Sequence, residues 1–406
     1  MASDSANQSW PIEFIPTADG GRVAVKRRPN PGATPVIFLH GLASNADFWD
    51  MPSVRGADFE FESIANFLHE RGYDIWLVNF RGHGAPHMYS EPPVAQDDWC
   101  VDHFAAFDLP AVIDRVSADG RRPYVIGSSM GSMTLAAWLM GVVIEPAAAS
   151  HRVRLDDETM RSRHNQIAAA VFVEFPAALR WPIAPVGEDE RLDWSELVRG
   201  LRQMDGNMNL PFELLARSVA LHNLIERSGQ VRLGWLRLNP RRSALSSVLP
   251  NTLAEGLLSF HRTVVQKGLN WVGKITGHSH HRAEIVLTAR RVALDDIKAG
   301  VLSQMARSVR ARGFLSGLGD PGLVYSDFYA RISVPLLLVS GGRDRVANAE
   351  VGREVFFNAA SSADKTEFFL PDFGHGEYSA TPAGCERVYP RIAAWLAERD
   401  SLTRPA

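Results

Sequence analysis

Two spacings of apolar residues alternate along most of the chain. Short apolar runs at Val23 to Lys26, Val36 to Leu39, Ile75 to Val78, Tyr124 to Ile126, Ala168 to Val173 and Leu336 to Val339 have the length of buried strands. Between them, Phe61-x-x-Ile64-x-x-Phe67-Leu68 and Leu109-x-x-Val112-Ile113-x-x-Val116 recur at steps of three and four, so each predicts a helix with one face on a sheet. Strands separated by helices predict an α/β fold with a mostly parallel sheet covered on both faces. The apolar run Met133 to Ile144 is shorter than the roughly 20 residues of a membrane span and predicts a buried core helix. The charged stretch Glu145 to Gln166 predicts an irregular surface excursion.

The alternation stops between residues 177 and 330, where strand signals fade and helical patterns broken by Gly and Pro take over. This divides the chain into an α/β core, residues 1–176 and 331–406, and a mainly helical cap inserted at 177–330. Leu192 to Met204 and Pro211 to Ile225 are amphipathic, and their apolar faces either pack on the core or roof a pocket. Trp181, Trp194, Trp235 and Trp271 give the cap either its own core or an apolar acyl pocket.

Composition narrows the function. At 406 residues, with 46% hydrophobic and 22% charged residues, the chain is of ordinary globular type. A net charge of −3 supplies no electrostatic footprint for nucleic acid. The segment Met1 to Trp10 lacks the basic and apolar regions of a secretory signal, and no integral membrane segment is read. Two cysteines, Cys100 and Cys385, cannot make a disulfide framework or a structural zinc site, which fits a cytoplasmic protein. No phosphate loop and no dinucleotide fingerprint appear, so no cofactor is expected. His278-Ser279-His280-His281 lacks the i, i+4 geometry of a metal-binding helix; it is read as a solvated polar loop, and no metal is expected.

Chemistry concentrates where an apolar strand runs into Gly127-Ser128-Ser129-Met130-Gly131 and an apolar helix leaves it. Gly-x-Ser-x-Gly between strand and helix is a nucleophile elbow, in which glycines remove the Cβ atoms that would clash at so sharp a turn. A serine needs a base to become a nucleophile, and the base needs an acid to orient it. Downstream, Asp344 follows the strand Leu336 to Val339 and so falls at the carboxyl end of the sheet, where sites form in open α/β folds. His375 lies in the glycine-flanked loop Gly374-His375-Gly376 after a further strand, and Asp372, three residues before it, is the rival acid. The order Ser, Asp, His is the one this elbow requires. The backbone N–H groups of Met130 and of Leu42, the latter in the loop after Val36 to Leu39, are the candidate oxyanion donors. His40 is read as shaping that loop, and Arg81 and His83 as stabilising the loop after Ile75 to Val78, with substrate contact as their alternative.

Taken together, Phe38-Leu39-His40-Gly41, Gly127-Ser128-Ser129-Met130-Gly131, Gly342-Arg343-Asp344 and Gly374-His375-Gly376 resemble the α/β-hydrolase superfamily. From Pro35 to Leu139, with Arg71 to Gly82 and Phe107 to Asp114, the chain resembles its acid-lipase branch, although Ser128 and Met130 stand where that branch usually carries His and Gln. The resemblance implies a small-molecule substrate, the ester of a hydrophobic acid or alcohol, held under a helical lid. The expected activity is ester hydrolysis through an acyl-enzyme on Ser129, with His375 as general base and acid and Asp344 orienting it. An acyltransferase on the same scaffold and a non-catalytic binding protein are the alternatives.

Overall fold

The computed structural model describes residues 10–146, 151–180, 230–231, 280–318, 322–344 and 346–403. We number only the elements that carry the argument. The central sheet has eight strands: β1 Ile12–Pro16, β2 Arg22–Arg28, β3 Pro35–Leu39, β4 Asp74–Val78, β5 Tyr124–Ser128, β6 Ala169–Val173, β7 Leu336–Gly341 and β8 Lys365–Leu370. Their order across the sheet is β1-β2-β4-β3-β5-β6-β7-β8. The pairs β1/β2 and β2/β4 are antiparallel and the rest are parallel. The strands from β3 onward therefore all end at one edge, and the loops that leave that edge share one surface.

Alternating side chains divide the core into two layers. Ile37, Leu39, Val125, Ala170 and Phe172 face one side, together with Leu109, Val112, Ile113 and Val116 of α2 (Leu109–Val116) and most of α3 (Met130–Leu139). Val36, Phe38, Tyr124, Ile126, Val171 and Val173 face the other side, with Ile64, Phe67 and Leu68 of α1 (Ile64–His69) and Ile392 and Leu396 of α7 (Tyr389–Thr403). This is the pleat of period two that the continuous apolar runs require when both faces are covered. At about 25 cal/mol per Å² of apolar surface removed from water, two such layers are the main source of stability.

Two expectations are corrected. The run Met133 to Ile144 is not one helix: α3 ends at Leu139, and Gly141, at φ +83, turns the chain into the strand Val142–Pro146. A left-handed glycine is the usual stop for a helix. Nor is Glu145 to Gln166 irregular, because Val142–Pro146 pairs antiparallel with His151–Leu155 and α4 (Asp157–Gln166) follows. Asp156 caps α4 by accepting the Thr159 N–H at 2.8 Å, and Asp157 and Glu158 stand in its first turn, where the helix dipole favours negative charge.

Most of 177–330, including the four tryptophans and both amphipathic segments named above, lies outside the described residues. The described part contains α5 (Ala283–Val292) and α6 (Ala299–Ala311). Among the described residues no helix is long and apolar enough to cross a membrane.

Candidate active site

The turn from β5 into α3 places Ser129 at φ +51, ψ −114, as the residue before the first turn of the helix. A non-glycine residue held there stores about 1–3 kcal/mol of strain, which the surrounding structure must offset. Its N–H is fixed by the Val173 carbonyl at the end of β6, 3.1 Å away. The glycines are needed for packing. A Cβ on Gly131 would lie 2.2 Å from the Leu39 carbonyl oxygen, and one on Gly127 would lie 2.7 Å from the Gly131 backbone. The elbow is thus pressed against the loop that leaves β3, and Gly41 passes the serine so closely that its Cβ would come within 3.4 Å of the Ser129 Cβ.

Three chain segments converge on the serine. His375 Nε2 is 3.1 Å from Ser129 Oγ, and His375 Nδ1 is 3.0 and 3.1 Å from the two carboxylate oxygens of Asp344. Asp344 is buried, while Ser129 and His375 remain partly open to solvent. Asp344 also accepts the N–H groups of Val346 and Ala347, at 2.9 and 2.7 Å, so its loop is closed around its own carboxylate. Burial pulls the His375 pKa down, but the charge of Asp344, then that of Glu174, then the hydrogen bond His375 donates to Asp344 outweigh it and raise it to about 9. The rival acid, Asp372, is engaged by Arg387 at 2.6 and 2.8 Å, and Arg387 holds its pKa down at about 2.

The loop after β3 is held from two sides. His40 is fully buried, with Nδ1 2.9 Å from the Gly41 carbonyl and Nε2 accepting the Phe80 N–H at 3.3 Å. Burial, then His83, keeps His40 well below the ordinary histidine range, so it is a neutral spacer. Farther along, Ala43 sits at φ +58 and accepts the Asp295 N–H at 2.9 Å, while Asn45 donates its N–H to Ala293 at 3.2 Å. The buried Asp295 carboxylate also takes the Gly84 N–H at 2.7 Å and the Asn45 side-chain N–H at 3.3 Å. The segment that follows α5 therefore braces both the loop containing Leu42 and the loop containing His83.

Arg81 and His83 are both buried. Arg81 forms ion pairs with Asp108 and Asp19, each at 2.6 Å, and joins the loop after β4 to the π-helical turn Phe104–Asp108 that precedes α2. His83 packs with its ring 4.8 Å from that of His40. Both stabilise their loop.

His280, in the run His278 to His281, departs from the solvated loop expected for it. His280 donates its backbone N–H to the fully buried Glu377 at 2.6 Å, with its ring Nδ1 3.3 Å from Glu377 and its ring 4.9 Å from that of Phe373. His281 is half-buried, and His278 lies outside the described residues.

One residue of the site escaped the sequence reading. Glu174, directly after β6, is buried at φ +44; it accepts the Ser128 hydroxyl and the Gly376 N–H, and its Oε2 is 3.7 Å from His375 Nδ1. Burial pushes its pKa up, against the pull of His375. The signal for it was the one used for Asp344, a carboxylate immediately beyond a central strand. Glu174, Asp344 and His375 are the one His, Cys and carboxylate grouping among the described residues whose ligand atoms lie within 4.8 Å of one another. Each of these atoms already has a hydrogen-bond or charge partner within the group or its loops.

A family model described as alpha/beta hydrolase fold matches residues 34–141. Lipase lipl-1 of Caenorhabditis elegans is 36% identical over 115 residues, 26% of each chain. Gastric triacylglycerol lipase of Homo sapiens is 32% identical over 134 residues, 29% of this chain and 31% of that protein. The chain thus spans less than a third of the length of these curated relatives. The crystal structure of a monoacylglycerol lipase from Paleococcus ferrophilus superposes over 93% of this chain and 99% of that one, with a TM-score of 0.49 at 16% identity.

Proposed function

We propose that this chain, which has the α/β-hydrolase fold and is lipase- and esterase-like, hydrolyses carboxylic esters of hydrophobic acids or alcohols through an acyl-enzyme on Ser129. The observation that carries the reading is the continuous line from Ser129 Oγ through His375 to Asp344, at 3.1 and 3.0 Å, with the serine on a strained turn. The lipase names of the relatives support the substrate class.

In this reading Ser129 Oγ attacks the ester carbonyl carbon as His375 Nε2 takes the hydroxyl proton. The negative charge moves to the carbonyl oxygen, where the N–H groups of Met130 and Leu42 receive it. Each such donor typically contributes about 10²–10³-fold in rate. The bond to the alkoxy oxygen then breaks, and His375 returns the proton to the leaving alcohol. Water attacks the acyl-enzyme with His375 again as base, which releases the acid and restores Ser129. Asp344 keeps the Nδ1 proton in place and stabilises the imidazolium. The division into a core, 1–176 and 331–406, and a cap at 177–330 belongs to the same reading, with most of 177–330 outside the described residues, and free Cys100 and Cys385 suit a reducing cytoplasm.

The test is a panel of p-nitrophenyl esters of increasing acyl length, assayed with the wild type and with Ser129→Ala. Hydrolysis of the longer apolar esters by the wild type alone is expected. Retained activity in Ser129→Ala, or transfer to an added alcohol that outruns hydrolysis, would contradict the reading.

A further inference from the structure

His375 has two carboxylates within reach of one nitrogen. Asp344 approaches Nδ1 at 3.0 Å and Glu174 at 3.7 Å, from the ends of neighbouring parallel strands, β7 and β6. Glu174 is held there by three constraints. Ser128, one of the two residues that depart from the acid-lipase pattern, donates its hydroxyl to Oε1, and the N–H of Gly376, next to the histidine, is donated to Oε2. The Glu174 N–H is fixed by the Val339 carbonyl at 3.0 Å, and its backbone is left at φ +44, a conformation costly for a residue with a side chain. A carboxylate kept in a strained position, buried and aimed at the base, points to a role in orienting that base and balancing its charge.

We propose that Glu174 is a positioning residue for His375: a second carboxylate that shares the imidazolium with Asp344 and can take the Nδ1 hydrogen bond when Asp344 cannot. The proposal rests on the hydrolase reading above. Closing the gap from 3.7 Å to hydrogen-bond distance takes a movement of less than 1 Å. The other ionisable groups around this loop are Asp372, paired with Arg387, Glu377, which accepts the Gly374 N–H at 2.6 Å, and the Tyr378 hydroxyl, on which burial and the charges of Asp344, Glu174 and Glu377 all act. His280 borders Glu377 on its far side.

Where a Ser-His-Asp array has a single acid, Asp→Asn lowers kcat by about 10⁴-fold because the histidine takes the wrong tautomer. Here Asp344→Asn is expected to lose only about 10²-fold, and Glu174→Gln in that background to lose at least a further tenfold, measured on p-nitrophenyl butyrate. Glutamine keeps an acceptor for Gly376 and a partner for Ser128, so a carboxylate that merely braced the loop would be replaced without consequence. Glu174→Gln alone is expected to move the acid limb of the kcat/KM profile to lower pH, since the imidazolium loses one of its two anions. This second readout stands even if the double variant does not fold. An unmoved limb, a full 10⁴-fold loss in Asp344→Asn, or a double variant no worse than Asp344→Asn would each overturn the proposal. If the wild type hydrolyses the ester, Ser129→Ala does not, and Glu174→Gln changes nothing, the second carboxylate falls while the hydrolase reading stands. An inactive wild type would sink the hydrolase reading itself.

Discussion

Among the described residues, two clusters bring together a nucleophile, a histidine and a carboxylate, and they differ in almost everything except residue type. Around Ser129 the nucleophile is partly open, the histidine offers one ring nitrogen to it, and the acid takes the other. Around Cys100 all three groups are buried, and their hydrogen bonds run to one another and to the surrounding loop, with the thiol 3.5 Å from His103 Nδ1. The Cys100 thiol donates to Asp102 at 3.2 Å, and His103 Nδ1 accepts the Cys100 backbone N–H at 3.2 Å. Asp102 also takes the Tyr325 and Ser316 hydroxyls and the N–H groups of Gly317 and Leu318. Burial, then the Asp102 charge, pushes the thiol well above its ordinary value, the opposite of what a nucleophilic cysteine needs. The first cluster sits on a strained elbow that turns the serine outward, and the second closes a helix start and pins a loop. The backbone beneath the groups, and whether their hydrogen-bonding capacity is already used, separates a site from a structural knot.

The sharpest attempt to break this comparison is exchange of the nucleophiles. Ser129→Ala should lower kcat by at least about 10⁴-fold with little loss of thermal stability, as read by ester hydrolysis and melting. Gly131→Ala comes next: a Cβ 2.2 Å from the Leu39 carbonyl forces the elbow and the β3 loop apart, and activity should fall by two orders of magnitude or more, roughly the effect of misplacing a catalytic group by 1 Å. A smaller effect is a pH profile. Protonated His375 cannot accept the Ser129 proton, so kcat/KM should fall as pH drops through about 9, and a limb near the ordinary histidine value would contradict the weight given to the two carboxylates. The smallest effect belongs to the second cluster. Cys100→Ala should leave kcat/KM unchanged while costing about 1–3 kcal/mol in stability through the Asp102 network, and iodoacetamide should modify Cys100 only after unfolding.

The sequence made the elbow legible because three constraints there are local: strand, turn glycine and helix lie within 16 residues, Tyr124 to Leu139. The sheet was legible for the same reason, since continuous apolar runs are what strands covered on both faces demand. Asp344 and His375 could be placed because each follows a recognisable strand, β7 and β8. Glu174 is equally accessible, directly after β6, but the expected pattern calls for one acid, and Asp344 and Asp372 already compete for that place. The Asp295 brace was not accessible: it joins positions about 250 residues apart through side-chain and backbone hydrogen bonds, which no local spacing announces. The boundary near Gly141 was misread because Val142 to Ile144 is as apolar as the helix before it. Only the glycine's left-handed turn separates the two.

Labelling with a fluorophosphonate, followed by peptide mapping, tests the central claim most directly. The reagent requires a serine activated by its histidine. A single adduct on Ser129, absent in His375→Ala and with Cys100 untouched, is the predicted result. A native protein that leaves Ser129 unlabelled while hydrolysing esters would contradict the account.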